Sequence, residues 1–149
     1  LYRRRQRQMC IRDSLLAASA RLGAPIGHDF CVINLSDNLK SWDILKSRVI
    51  AAAKADFVIA FYNPRSKSRK NQLSEIYDVL RKNCKSDRIV IYANSVSTES
   101  EAIFETTLSE ADASSVSMKT LVIIGSSSTK KIRNTGYIYT PRYSGVEKN

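Results

Sequence analysis

The chain is poor in the residues that build the commonest reactive centres. One histidine in 149 residues excludes a histidine-rich metal site, and no metal is expected. Its three cysteines, at 10, 31 and 84, have no paired or metal-type spacing, so they read as reduced cytosolic thiols. No apolar run approaches the roughly 18 residues of a membrane span, and no segment is built like a secretory signal. A cytoplasmic protein with no membrane partner is expected. Also missing are Gly-x-Gly-x-x-Gly, a Walker-type loop, His-Glu-x-x-His and Gly-x-Ser-x-Gly, which removes the chemistries those motifs serve. Internal repeats and low-complexity linkers are absent too. What remains is about one domain's worth of sequence, 43% hydrophobic and 26% charged, the balance of a soluble globular chain.

Charge is the one unusual quantity, at a formal +10. Residues 1–14 hold five arginines against one aspartate, so +4 lies there and +6 on residues 15–149. Such an arm suits an anionic partner such as nucleic acid. Yet Met9 to Ser14 (Met-Cys-Ile-Arg-Asp-Ser) resembles an open-frame translation of the transposon end used in sequencing-library preparation. Residues 1–14 are therefore expected to be non-native and are set aside from the fold.

From Leu15 the pattern alternates between helical and strand periods. Leu15 to Leu22 is helical and is stopped by Gly23 and Pro25. Asp29 to Leu35 reads as a strand. Ser41 caps a helix with the apolar face Trp42, Leu45, Val49 and Ala52. Phe57 to Phe61 is an apolar run typical of a strand covered on both faces, ended by Asn63-Pro64. Leu73, Ile76, Tyr77, Leu80 and Cys84 stripe a helix over 69–83. Arg88 to Tyr92 and Leu121 to Ile124 are further strands, and Ala102 to Leu108 a half-buried one. A short helix is expected at 109–113 and an edge strand at 136–139. The fold class that follows is α/β, a mainly parallel or mixed sheet flanked by helices.

Local motifs narrow the chemistry only partly. Gly125-Ser126-Ser127-Ser128-Thr129-Lys130 follows a strand but lacks a phosphate cradle's second glycine, so a polar turn is expected. His28, between Gly27 and Asp29, reads as structural, with general base as its functional alternative. Cys31 and Cys84 lie in apolar patterns and read as core. Asn63 to Lys70 sets Arg65, Lys67, Arg69 and Lys70 between a buried strand's end and the first turn of a helix. Cations there oppose the helix dipole, so a polyanionic ligand or a solvated turn must account for them. Aromatics are not interleaved with these charges, as a single-strand nucleic-acid surface would need.

Longer stretches carry a family likeness. Arg21 to Ile33 (Arg-Leu-Gly-Ala-Pro-Ile-Gly-His-Asp-Phe-Cys-Val-Ile) with Leu35-Ser36-Asp37 resembles the central signature of the precorrin-3B C17-methyltransferases, a subgroup of the tetrapyrrole methylases. So do Ala55 to Ser66, with its asparagine-proline-arginine-serine turn, Thr120 to Gly125, and Thr140-Pro141-Arg142. The likeness runs from about Leu15 to Tyr143. It implies the C-terminal half of a two-domain enzyme: residues 15–35 ending the N-terminal domain and connecting the two, 36–143 the C-terminal domain, and 144–149 a tail.

The resemblance implies methylation of C17 of precorrin-3B, or of its cobalt counterpart, by S-adenosylmethionine, with ring contraction to precorrin-4 in cobalamin biosynthesis. This fragment is not expected to be competent alone. The family binds its cofactor in the interdomain cleft and forms homodimers when full length. Position by position, Tyr62 and Asn63 would lie against the cofactor. Ala93, Asn94 and Ser95 would approach its methionine or ribose part, and Lys119 and Thr120 would line the adenine pocket through backbone groups. This sequence departs from the subgroup around Asn94-Ser95-Val96, and again where Tyr143 follows Arg142 without a glycine between them. Arg65, Lys67, Arg69 and Lys70 are the candidates to meet the carboxylates of the tetrapyrrole. Arg65→Ala is expected to weaken tetrapyrrole binding and to leave cofactor affinity nearly unchanged. No catalytic residue is assigned, because methyl transfer to carbon rests on positioning more than on a nucleophilic side chain. Another corrin methylase, a basic nucleic-acid-binding protein with salt-sensitive affinity, and a non-catalytic assembly domain remain open as alternatives.

Overall fold

A computed structural model describes residues 13–36, 38, 40–65, 69–114 and 116–142. The arginine-rich arm through Arg12, Lys67 and Tyr143 lie outside the described residues.

Helix α1 covers residues 13–22 and runs into β1 (Gly23–Ala24). Then come β2 (Phe30–Asn34), α2 (Trp42–Lys54), β3 (Val58–Tyr62), α3 (Gln72–Asn83) and β4 (Ile89–Asn94). The chain ends with β5 (Ala102–Thr107), β6 (Thr120–Ile124), β7 (Lys130–Lys131) and β8 (Ile138–Tyr139). Five strands form the main sheet in the order β2-β3-β6-β4-β5, and β1-β8-β7 form a small second sheet.

The main sheet is mixed, not mainly parallel. β2 pairs parallel with β3, β6 pairs antiparallel with both β3 and β4, and β5 pairs antiparallel with β4. A run of apolar residues reports that both faces of a strand are covered; it carries no information on strand direction. Alternation divides the core accordingly. Ile59, Phe61, Val90, Tyr92, Val122 and Ile124 face α2 and α3, contributing to one cluster with Leu45, Val49, Leu73, Ile76 and Leu80. Val58, Ala60, Ile91, Ala93, Leu121 and Ile123 face the other way, onto Leu15 and Ala18 of α1 and Ile138 of β8. Residues 15–35 thus pack into the same body as the rest: β2 is a strand of the main sheet, and the expected boundary at residue 35 falls between β2 and α2.

Ser41 caps α2 as expected, its hydroxyl accepting from Ile44 N–H at 3.4 Å. α3 starts three residues later than its apolar stripe suggested, at Gln72. The edge strand expected at 136–139 shortens to Ile138–Tyr139, paired on both sides. Beside it Gly23 has φ +115, and a Cβ there would meet Ile138 O at 2.9 Å.

The helix expected at 109–113 does not form. Residues 108–119 must return from the far end of β5 to the start of β6, which lies beside Asn94 at the same sheet edge as the start of β5. That climb is about 17–20 Å for strands of five or six residues, whereas a five-residue helix advances only about 7–8 Å. The chain crosses in irregular form instead, with Leu108, Ala111, Ala113 and Val116 buried against the sheet. Its carbonyls are taken by side chains: Arg81 donates to Leu108 O (3.0 Å) and Ala111 O (2.8 Å), and Tyr92 Oη to Asp112 O (3.1 Å).

Candidate functional site

The C-terminal ends of β2, β3 and β4 share one sheet edge with the starts of β5 and β6. At that edge lies a cleft of about 350 Å³, lined by Tyr62, Asn63, Ala93, Ser95, Lys119 and Thr120 among others. Six of the seven residues that the resemblance nominates for the cofactor therefore converge, from three strand ends of which the first two lie 30 or more positions apart on the chain and the last two 24 or more. The seventh, Asn94, stands directly behind: its side-chain oxygen accepts from the Thr120 hydroxyl. Ser14, Thr98, Ser100, Met118 and Leu121 also line the cleft, and Val96 beside them. Nothing local in the sequence marks Met118, which stands 59% exposed at the rim.

The backbone around the cleft is held in uncommon conformations. Asn63, Ser95 and Ser97 have φ of +51°, +47° and +63°, all left-handed. Asparagine adopts that region with little strain; serine does so at a cost of order 1 kcal/mol or more. Asn63 is steadied by its side-chain amide, which donates to Asn34 Oδ1 at 3.2 Å. The same oxygen accepts from Ser36 N–H at 2.9 Å. Ser95 N–H reaches Lys119 O at 3.4 Å, joining the two walls. Among the described lining residues Lys119 is the one cation, and neither a carboxylate nor an imidazole is present. The cleft thus mixes apolar surface with hydroxyl, amide and backbone groups. That suits an amphiphilic small molecule held by position.

Of the cations nominated for a polyanion, the three described ones follow the end of β3 in the chain, and two of them have internal work. Arg65 Nη1 donates to Ala113 O (3.2 Å) and Ser114 O (2.7 Å) on the β5–β6 crossover. Arg69 Nη1 donates to Ser36 Oγ (3.1 Å) and Asn38 Oδ1 (3.2 Å), holding the β2–α2 connection. Lys70 is exposed.

The opposite sheet edge resolves the remaining motifs. The Gly125–Lys130 segment is a turn whose N–H groups are already used. Ser126 N–H donates to Thr129 Oγ1 (2.8 Å) and Ser127 N–H to Asp56 Oδ1 (2.9 Å). An N–H committed to a carboxylate cannot cradle a phosphate. Asp56 also accepts from the buried Arg88 Nη2 at 2.6 Å. His28 is exposed at this edge and forms no hydrogen bond among the described residues, so it is not the satisfied structural histidine expected. Cys31 and Cys84 are half-buried against the core, and burial raises both thiol pKa values.

Fold and cleft together define an α/β domain with a cleft of small-molecule size at one sheet edge. Comparison with known proteins narrows this. The sequence profile of the Tetrapyrrole (Corrin/Porphyrin) Methylases matches residues 14–112. A precorrin-3B C(17)-methyltransferase of a Sinorhizobium species is 46% identical over 139 residues, covering 91% of this chain and 55% of that protein. A probable cobalt-factor III C(17)-methyltransferase of Salmonella typhimurium is 41% identical over 127 residues, covering 85% and 52%. The crystal structure of the methyltransferase CobJ superposes with a TM-score of 0.81 at 45% identity, over 85% of this chain and 52% of that one. The chain belongs to the tetrapyrrole methylases, a family of methyltransferases, and spans about half the length of the curated relatives it matches.

Proposed function

We propose that this chain is the C-terminal half of an enzyme that methylates C17 of precorrin-3B, or of its cobalt-containing counterpart, with S-adenosylmethionine as donor. Ring contraction to precorrin-4 accompanies the transfer, as a step of cobalamin biosynthesis. The observation that carries this reading is the convergence of Tyr62, Asn63, Ala93, Ser95, Lys119 and Thr120 on one cleft. When bound, the cofactor supplies an electrophilic methyl group on a sulfonium. The cleft offers what such a ligand needs: Tyr62, Ala93 and Leu121 as apolar surface, and Asn63, Ser95 and Thr120 as hydrogen-bonding groups. Lys119 and Thr120 line the adenine end, and the strand-end turn at Ala93 to Ser95 approaches the ribose or methionine end. No residue of the cleft has to act as nucleophile, since in-line placement of donor and carbon supplies much of the rate.

Arg69 and Lys70, with Arg65 and Lys67, form the cationic border that meets the carboxylates of the tetrapyrrole. Residues 36–143 form the C-terminal domain of a two-domain, cytoplasmic homodimer, and 15–35 lead into it from the N-terminal half while packing α1 and β2 into the same body. Among the described residues no helix is long and apolar enough to cross a membrane.

Two measurements test the proposal. Titration of the chain with S-adenosylhomocysteine is expected to shift amide resonances at Tyr62–Asn63, Ala93–Ser95 and Lys119–Thr120 together; shifts confined elsewhere refute the cofactor site. The chain from Ser14 onward, joined behind the N-terminal half of the Sinorhizobium relative, is expected to methylate precorrin-3B. A folded chimaera that binds S-adenosylhomocysteine and methylates a different corrin intermediate would refute the C17 assignment.

A further inference from the structure

The crossover at residues 108–119 takes the place of the helix that usually joins two strands running in the same direction. Among its described residues it forms no helix, and its backbone is bonded to the sheet at its two ends, Leu108 N–H to Arg88 O (2.9 Å) and Ser109 N–H to Ser86 O (2.9 Å) at one and Ser95 N–H to Lys119 O (3.4 Å) at the other. Between those ends side chains hold it in series. Arg81 of α3 holds Leu108 O and Ala111 O, Tyr92 of β4 holds Asp112 O, and Arg65 holds Ala113 O and Ser114 O. The first two donors are rooted in a helix and a strand of the core. Arg65 is not. It stands in the turn after β3, two residues beyond the left-handed Asn63 that lines the cleft. It is also the last of these anchors before the chain turns at Ser117 to Thr120. There Ser117 N–H donates to Thr120 Oγ1 at 2.9 Å, and Lys119 and Thr120 become cleft wall.

We propose that Arg65 is a positioning residue for the cofactor wall. Its guanidinium ties the cationic turn after β3 to the crossover, and so sets the placement of Ser117 to Thr120 against Tyr62 and Asn63. Both bonds leave one nitrogen, Nη1, so a lysine ammonium, which carries three donors on a differently shaped stem, keeps only as much of the tie as its reach allows. The turn that would meet the tetrapyrrole and the wall that would meet the cofactor are thereby mechanically joined. This changes the expectation that Arg65 matters to substrate alone. Removing it disturbs the cofactor side as well. The inference deepens the proposed function and rests on it only for the identity of the ligand.

The test is hydrogen–deuterium exchange on the whole 149-residue chain, comparing wild type, Arg65→Ala and Arg65→Lys. Hydrogen bonds to a charged donor weigh enough that amides of 114–120 are expected to exchange about tenfold or more faster in Arg65→Ala. Arg65→Lys is expected to fall between that variant and wild type. Amides of α3 and of β4 keep their wild-type rates in both. Unchanged exchange at 114–120 in Arg65→Ala overturns the inference. So does uniform acceleration across the sheet, which would make Arg65 a residue of global stability. If Arg65→Ala does not fold, Arg65→Lys alone decides, by the same local-against-global contrast. Adding S-adenosylhomocysteine separates the two ideas. It is expected to protect both 93–98 and 116–121 in wild type, and only 93–98 in Arg65→Ala. Absence of protection in wild type, with the ligand-free contrast intact, refutes the cofactor reading and leaves the positioning role standing.

Discussion

Asp56→Asn removes one charge and little else. Asp56 sits at φ +60°, a conformation that asparagine tolerates as well as aspartate does, and the amide oxygen still accepts from Ser127 N–H. What changes is Arg88. Its side chain is 7% exposed, its Nη2 lies 2.6 Å from Asp56 Oδ1, and its Nε has no partner. Breaking a fully buried pair from one side costs about 3–5 kcal/mol. Asp56 itself is 42% exposed, so solvent already screens the pair and the loss should be about 2–3 kcal/mol. In a domain of this size that lowers Tm by about 5–10 °C.

Arg88→Met should cost less, about 1 kcal/mol or under, because it leaves behind a half-exposed carboxylate that water and Ser127 still solvate. It also removes a buried donor that was never satisfied. The double variant should therefore be more stable than Asp56→Asn alone. Urea unfolding followed by the fluorescence of Trp42, the chain's one tryptophan, measures all four proteins. If Arg88→Met proves more damaging than Asp56→Asn, the orphaned guanidinium is not the costly species and this reasoning fails.

Tyr77 Oη donates to Tyr92 Oη at 2.8 Å, and Tyr92 Oη donates onward to Asp112 O. Tyr77→Phe leaves that second bond intact and should cost about 1 kcal/mol, while Tyr92→Phe strands the buried Tyr77 hydroxyl and should cost about 2 kcal/mol; equal losses in urea unfolding would contradict the chain of donors. Burial first, then the bond to Tyr92, pushes the Tyr77 hydroxyl far above its ordinary range, and burial raises Tyr92 too. Both stay neutral in the fold while the unfolded chain ionises from about pH 10, so their stabilisation is complete below about pH 10 and is lost as pH rises further. Stability measured from pH 9 to 11.5 should fall more steeply in wild type than in the double phenylalanine variant, a contrast taken over about 2.5 pH units around the ordinary tyrosine value. Gly27→Ala places a Cβ 2.8 Å from Thr140 O and 3.0 Å from Ala24 O, both backbone atoms, and should cost about 2 kcal/mol or more, read as a loss of Tm. Asn63→Gly keeps the left-handed turn at the cleft whereas Asn63→Ala strains it, and both lose the bond to Asn34, so the alanine variant should be the less stable by about 1 kcal/mol; the reverse order in urea unfolding would show that the left-handed backbone is not what this position demands.

Much of the element list was legible in the residues. Leu73, Ile76, Tyr77 and Leu80 mark α3 by spacing alone, Ser41 marks the start of α2, and the apolar runs mark β3, β4 and β6. These features depend on neighbours a few positions away, which is what periodicity records. The candidate site was legible by another route. Tyr62, Asn63, Ala93, Ser95, Lys119 and Thr120 were nominated through family likeness, and no spacing among them announces a cleft. Other features belong to the tertiary structure alone: the reversed direction of β6, the extended crossover that replaces a helix at 109–113, the pairing of Asp56 with Arg88, and the hold of Arg65 on Ala113 and Ser114. Each joins residues about 30 to 50 positions apart or turns on which strands become neighbours. Local pattern sets whether a strand has two covered faces. Only the packing of the whole chain decides what covers them, which way the strand runs, and which carbonyls are left for a side chain to take.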